Sequence, residues 1–445
     1  MVSLTFYGGV NEIGGNKILL ESQKSRIFLD FGQSFSLLDD FYLQESYLSP
    51  RERFGLKDYF EFNLMPKLEG LYNEEALANT KVPYRKEPLF DAIFITHAHM
   101  DHVAHLKYLH PQIPIFMGET TKKILESTAE TTRQKFWGEE TEIRTFRTNK
   151  EMQIGNLKIT PIHVDHSVPG AYGFLIETKE GNITYSGDLR KHGRRPDLTE
   201  DFIQKAKAAD PELLIIEGTR VANEETRKNH TEEFVKTESR KVAEETKGLV
   251  LAMRYPKDLD RFMTFYQTAK ETGKKLVISL KTAHLIKALG EDSGLKLPDP
   301  FHNENIQVYE RKLKNYPKWQ KEYLDKCIEA ADVKQNQEDV ILELDFYYLN
   351  ELIDIKPSKG ACIHSMSEPF EEDPVSQMGE KVLFNWLKHF NLAHYQLHAS
   401  GHASKQEIFD MIEEIKPRKV APVHTHHPEL FPRHLKIEKG QKIEI

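Results

Sequence analysis

Cysteine is nearly missing from this chain. Cys327 and Cys362 are the only two among 445 residues. That excludes a disulfide framework and a cysteine-ligated zinc site, and it fits a reducing compartment. No apolar run reaches the roughly 20 residues that a membrane span needs, so no membrane partner is expected. Met1 leads straight into strand-like residues 2–7 without a signal-peptide pattern, and the expected location is cytoplasmic. An excess of basic residues is missing too. The net charge is −8, whereas proteins that coat nucleic acid are usually basic overall. A polyanion would have to bind in a local groove or against metal charge. Repeats and low-complexity tracts are also absent, which leaves an ordinary globular chain long enough for two or three domains.

Histidine, by contrast, is plentiful, with 20 residues, many of them clustered. The densest stretch is Phe94-Ile95-Thr96-His97-Ala98-His99-Met100-Asp101-His102. An apolar run of strand length ends in four potential metal ligands within six residues. Imidazoles packed that tightly are costly unless something binds them. Nitrogen donors with a carboxylate suit zinc, or manganese as a harder substitute. If residues 94–96 are extended, His97 and His99 point to the same side. Residues 103–109 read as a helix, which puts Asp101 and His102 at its entry, facing a second metal.

Other strand-like runs also end in polar residues. Residues 17–21 and 26–30 form an expected hairpin that ends at Asp30. Residues 34–88 read as an insertion of short helices and loops able to cover the site. A helix is expected over 120–135 and a strand pair around 151–160. Further strands deliver His166 and Asp188. From about residue 205, strands at 212–217, 248–253, 275–279 and 340–344 alternate with helical patterns at 232–247 and 259–272. That alternation argues for a parallel sheet. Residues 301–331 read as helices and loops. Helices at 381–390 and 405–415 then lead to strands ending at His402 and His424. The expected organisation is a first domain over 1–205, an inserted domain over 206–378, and a return to the first over 379–445.

In that order, Asp30, His97-x-His99-x-Asp101-His102, His166 and Asp188 resemble the successive motifs of the metallo-β-lactamase superfamily. Glu217 in Ile-Ile-Glu-Gly-Thr, His402 in Ser-Gly-His-Ala and His424 in Pro-Val-His resemble the three motifs of its β-CASP nuclease branch. The opening Gly8-Gly9-Val10-Asn11-Glu12-Ile13-Gly14-Gly15-Asn16 is most similar to ribonuclease J-like enzymes. The resemblance implies an α/β (α+β) fold, an αββα sandwich split by a β-CASP α/β domain. It implies two Zn²⁺, with Mn²⁺ as the alternative. One would be held by His97, His99 and His166, the other by Asp101, His102 and His424, with Asp188 bridging. It implies phosphodiester hydrolysis in RNA by an exonuclease or endonuclease, leaving a 5′-phosphate and a 3′-hydroxyl. Asp101, Asp188 and His402 would carry the chemistry, His402 at the scissile phosphate or the leaving oxygen. Asp30 and Glu217 would orient ligand imidazoles through their free N–H groups. RNA is the expected partner, single-stranded DNA the near rival, and a homodimer an open expectation.

Two departures stand out. The late loop that helps hold a 5′-phosphate in ribonuclease J-like enzymes corresponds here to Ile363-His364-Ser365-Met366-Ser367-Glu368-Pro369, without its glycines. The sequence also stops soon after His424, without the C-terminal domain of many bacterial members.

Substrate contacts are sought among basic and hydroxyl residues near these motifs: Arg190, Arg194, Arg254, Ser365, Ser367 and Ser400. Arg190 and Arg194 lie in the basic run after Asp188, which reads equally as a phosphate contact or a solvated loop. Arg254 and Arg261 flank a strand-to-helix turn and read as backbone contacts or salt bridges. His105 and His110 read as surface or supporting residues, His163 and Asp165 as support, and His426 and His427 as solvated. Tyr255 reads as core packing before base stacking. A small-molecule metallo-hydrolase is opposed by the long insertion, and a non-catalytic RNA-binding subunit by the complete ligand set.

Overall fold

A computed structural model describes residues 2–42, 48–225, 227–368 and 374–445. Residues 43–47 of the early insertion and Pro369 of the serine-containing loop lie outside that description. No helix among the described residues is long and apolar enough to cross a membrane.

Three sheets organise the chain. The first orders seven strands as Lys442–Glu444, Ser3–Gly8, Lys17–Ser22, Ser25–Leu29, Ala92–Phe94, Ile115–Gly118 and Ile143–Phe146. The second orders six as Lys419–Val423, Leu213–Glu217, Asn182–Tyr185, Ala171–Glu177, Leu157–Val164 and Met152–Ile154. These two sheets face each other over Phe6, Leu20, Ile27, Phe94 and Phe116 from one side. Phe174, Ile176, Ile183, Ile215 and Val423 come from the other, all buried. Helices cover the outside. Pro196–Ala208 and Lys405–Ile415 lay Phe202, Ile203, Ile408 and Ile412 on the second sheet. This is the αββα sandwich that the resemblance implied.

The third sheet runs Cys327–Ile328, Ile306–Tyr309, Lys275–Ser279, Val340–Glu343, Leu249–Arg254, Gly360–Ser365 and Leu392–Gln396, parallel throughout. It is the inserted α/β unit, with helices Glu232–Glu245 and Leu259–Glu271 against it.

Two strands fall on the other side of the expected boundaries. Leu213–Glu217, expected within 206–378, lies between Asn182–Tyr185 and Lys419–Val423 in the second sheet. Leu392–Gln396, expected within 379–445, is the edge strand of the third sheet beside Gly360–Ser365. An apolar run states that a strand is buried, not which sheet it joins. Residues 301–331, expected to hold only helices and loops, also contribute the short strands Ile306–Tyr309 and Cys327–Ile328.

The early insertion packs Tyr59, Phe60, Leu71 and Tyr72 against Phe28 and Phe31 on the outer side of the first sheet. His105 sits edge-on to Tyr59 at 5.2 Å. His105 and His110 are therefore buried, and neither is a surface residue.

Candidate metal centre and active site

Strands running in one direction deliver the site, because their C-terminal ends share one edge of each sheet; all are parallel neighbours except Leu157–Val164, which lies beyond the antiparallel Ala171–Glu177. From the first sheet, Ser25–Leu29 ends at Asp30, and Ala92–Phe94 leads into His97–His102. From the second, the strands before His166, Asp188, Glu217 and His424 all end at the same rim. Asp30 (φ 57°) and His424 (φ 56°) both sit in the left-handed region that non-glycine residues seldom occupy. Each is the first residue past its strand, and the reversed backbone turns its side chain inward.

The turn after His99 becomes a four-residue helix, Met100–Val103, and not the longer helix expected over 103–109. Backbone from two loops closes on it. A Cβ at Gly32 would lie 1.7 Å from the Asp101 carbonyl oxygen, and one at Gly14 would lie 2.8 Å from Asp101 Cβ. Gly14 also has φ +80°. Larger residues at either position would displace Asp101.

The expected ligands converge in two sets that share Asp188. His97, His99, His166 and Asp188 form one, and Asp101, His102, His424 and Asp188 the other, with donor atoms in each set within 4.8 Å of one another. In the first, His97 Nε2 lies 3.0 Å from His99 Nδ1, and His166 Nε2 lies 3.1 Å from the same atom. In the second, His424 Nε2 is 2.9 Å from Asp101 Oδ2, and His102 Nε2 is 3.2 Å from Asp188 Oδ2.

The chemistry of the donors fits divalent cations. Both carboxylate oxygens of Asp188 and Nε2 of His102 are buried without a well-aligned hydrogen bond among the described residues; Asp188 Oδ2 sits among imidazole nitrogens, His102 Nε2 at 3.2 Å, His97 Nε2 at 3.6 Å and His424 Nε2 at 3.7 Å. Such atoms are costly unless something else satisfies them. Burial pushes His97 and His166 well down and His99 to about 4, so these three are neutral donors at pH 7. Burial would lower His102 and His424 as well. For His102 the charges of Asp188, Asp30 and Asp101 outweigh it. For His424, Asp188 and the hydrogen bond to Asp101 hold the imidazole at about 9.

A supporting layer fixes the rings. Asp30 accepts from His102 Nδ1 at 2.8 Å, from the Thr96 amide at 2.8 Å and from the Tyr185 hydroxyl at 2.7 Å. It thereby fixes the orientation of the His102 ring. Glu217 does something different. It accepts from the Leu189 and Thr219 amides, each at 3.1 Å, and from His402 Nδ1 at 3.0 Å. The expectation that it steers a metal-ligating imidazole is thereby corrected. The hydroxyl of Thr219 takes that place, 2.8 Å from His424 Nδ1 and 3.1 Å from His402 Nδ1. Thr219 had no role in the sequence reading, although it sits inside the Ile-Ile-Glu-Gly-Thr motif. His166 Nδ1 donates to the Gly401 carbonyl at 2.6 Å.

The arginines expected on the substrate turn inward. Arg190 is fully buried, with its guanidinium 2.6 Å from Asp260, 3.4 Å from Glu232 and 2.9 Å from the Ser400 carbonyl. Arg254 is engaged by Glu343 at 2.7 Å and by the carbonyls of Tyr255, Pro256 and Asp258. Ser365 is buried against Arg261 and the Leu397 carbonyl. None of these three offers a group to the cleft, because buried charged and hydroxyl groups are satisfied by the protein first. Arg194 donates to Gln267 at 3.3 Å from a partly buried position. Ser367 and Ser400 line a cavity of about 280 Å³ together with Arg220, Lys228, His230 and His398.

A cation that the sequence reading passed over does reach the site. Lys257, on the turn between Leu249–Arg254 and Leu259–Glu271, donates to the Ala98 carbonyl at 2.9 Å, between His97 and His99. Burial pushes its ammonium down to about 8, against the pull of Asp101.

Residues 69–245 match the family described as the beta-lactamase superfamily domain. Residues 389–445 match the Zn-dependent metallo-hydrolase RNA specificity domain. Ribonuclease J of Mycoplasma genitalium is 24% identical, over 94% of this chain and 67% of that protein. Ribonuclease J of Helicobacter pylori (strain 26695) is 22% identical, over 96% of this chain and 56% of that protein. Ribonuclease J of Pyrococcus abyssi is 23% identical, over 97% and 92%. A solved structure described as a protein of unknown function from Enterococcus faecalis V583 shares the fold. Its TM-score is 0.79 at 24% identity, covering 99% of both chains.

Proposed function

Taking as premise that the chain belongs to the metallo-β-lactamase superfamily, in its ribonuclease J-like β-CASP branch, we propose that it is a metal-dependent ribonuclease that hydrolyses phosphodiester bonds in RNA processing or decay. The observation that carries this reading is Asp188. Its two buried oxygens, which make no well-aligned hydrogen bond, lie between two ligand sets. A carboxylate in that position suits a pair of cations. The relatives named for ribonuclease J and the match to an RNA specificity domain support RNA as substrate.

Two Zn²⁺ per chain suit the donor set, with Mn²⁺ as the substitute. His97, His99 and His166 would hold one, Asp101, His102 and His424 the other, and Asp188 both. Cations held there supply Lewis acidity toward the phosphodiester and lower the pKa of the attacking water. The protein does the rest. Asp30 and Thr219 keep His102 and His424 oriented through Nδ1, so that Nε2 faces inward. Glu217 accepts a hydrogen bond from His402 Nδ1, which leaves Nε2 for a phosphate or leaving-group oxygen at the rim, where this side chain is 21% exposed. That placement suits a contact strengthened in the transition state.

The test is direct. End-labelled RNA and DNA of one sequence, with 5′-phosphate, 5′-triphosphate or 5′-hydroxyl ends, are incubated with the protein and Zn²⁺ or Mn²⁺. Metal-dependent cleavage of RNA leaving 5′-phosphates is expected, with metal close to two per chain. Cleavage of DNA alone would replace the reading with that of a DNA-directed nuclease. A folded protein that retains no metal and cleaves neither polymer would sink it.

A further inference from the structure

The inserted unit reaches the metal-ligand motif through the short turn Tyr255-Pro256-Lys257. Its shape comes from Arg254. One nitrogen of that guanidinium, Nη1, donates to the carbonyls of Tyr255 at 3.0 Å, Pro256 at 3.0 Å and Asp258 at 3.2 Å. Glu343 holds the other side of the same group at 2.7 Å. Asp258 then caps the following helix by accepting from the Arg261 amide. A turn braced at both ends projects two side chains. Tyr255 is 40% exposed and faces His398 edge-on at 6.2 Å. Lys257 points the other way, to Ala98.

Lys257 differs from the other cations near the site. Arg190, Arg254 and Arg261 are each paired with carboxylates. Lys257 makes no ion pair among the described residues. Its one acceptor is a neutral carbonyl. An ammonium withdrawn from water without a counter-ion is unfavourable on its own. The structure leaves it beside His99, the most open of the histidine ligands, where an anion entering the site would meet it.

We propose that Lys257 is a substrate-binding residue that contacts a backbone phosphate next to the scissile one. The turn that carries it is the inserted unit's grip on a single strand, with Tyr255 offering a ring face to an unpaired base. This rests on the nuclease reading above and adds where the strand crosses from one unit to the other. A lysine contributes here as a point charge. Its loss should therefore remove about one released counterion, seen as a fall of about 0.7 in the slope of log K against log salt for a single strand.

The competing account is that Lys257 only pins the Ala98 turn and so supports the metal ligands. The two separate cleanly. Binding of a cleavage-resistant phosphorothioate oligoribonucleotide to the metal-loaded protein, and of the matching single-stranded DNA, is measured across a salt series for wild type, K257M and K257R. Metal content is measured alongside. A shallower salt slope in K257M, recovery of the slope in K257R and unchanged metal content are expected. An unchanged slope on both polymers, or loss of metal in K257M, overturns the proposal. A slope change seen on DNA but not RNA keeps Lys257 as a phosphate contact and removes RNA as the preferred substrate, so the two failures are distinguishable.

Discussion

Two groups of imidazoles in this site differ in what they hold without metal. His97, His99 and His166 are driven neutral by burial, His99 to about 4. His424 is held at about 9 and His102 well above its ordinary value, each because carboxylates outweigh burial. At pH 7 the first set is ready to bind, and the second must shed protons first. Calorimetric titration of the metal-free protein with Zn²⁺ at pH 7, in buffers of different ionisation enthalpy, should show proton release attached to the Asp101–His102–His424 set. Since the His424 proton is already gone above about pH 9, its share of the release fades there. The apparent affinity of that set therefore rises with pH up to that point. Heats independent of buffer would contradict the assignment. His402 stands apart from both sets. With His402→Ala, metal content should stay at the wild-type level while turnover falls by roughly 10²-fold or more, the scale of a lost transition-state contact. Unchanged turnover would remove its role.

These residue-level features were the most legible from sequence, and the reason is local. A strand that ends in His97-x-His99-x-Asp101-His102 declares its chemistry within six residues, whatever the rest of the chain does. The support around it was less legible. Thr219 and the Tyr185 hydroxyl reach His424 and Asp30 across many residues of intervening chain. For the arginines the sequence left two readings open. Arg190 in a basic loop and Arg254 at a helix entry suit a phosphate contact until Asp260 and Glu343 appear beside them, and for Arg254 it is the salt-bridge alternative that holds.

At the scale of elements, the turn between Leu249–Arg254 and Leu259–Glu271 shows the same division. Arg254 shapes it, and Tyr255 and Lys257 are what it presents. R254M should leave Glu343 and three carbonyls without their buried donor, costing on the order of 3–5 kcal/mol. RNA binding should weaken in R254M, and its salt slope should fall no further than that of K257M, because Arg254 holds the turn that presents Lys257 and meets no phosphate itself. A slope shallower than that of K257M would show that Arg254 itself meets the backbone. Strand membership was the other weak point at this scale. Leu213–Glu217 and Leu392–Gln396 have the apolar pattern of strands, and the pattern carries no record of their neighbours. Glu217 is informative in hindsight: a carboxylate that ends a strand at the ligand rim belongs with the sheet that forms the rim.

For the whole molecule, the question is what joins the sandwich to the inserted unit so close to the chemistry. The joint is charged and buried. Asp165 precedes His166, and Arg190 follows Asp188. From the inserted unit, Glu232, Asp260 and Arg261 meet them. The same groups hold the segment before His402. Arg261 reaches the Ala399 carbonyl, Arg190 and His192 both reach that of Ser400, and His166 reaches that of Gly401. A buried pair of this kind adds little net stability over an apolar one, but removing one partner is expensive. R190A should therefore destabilise the protein by about 3–5 kcal/mol at pH 8, since it strands Asp165, Glu232 and Asp260. The penalty should depend on pH in a defined direction. Burial raises Asp260 to about 6 even with Arg190 opposing it. Without that arginine the carboxyl takes up a proton still more readily, and the protonated form needs no counter-ion. The stability gap between R190A and wild type should shrink as the pH falls from 8 toward about 6, where Asp260 takes up its proton in the wild type too, read as converging denaturant midpoints at pH 5 against pH 8. A gap that is constant or widens on acidification would mean that the joint is held by packing, with Arg190 incidental to it.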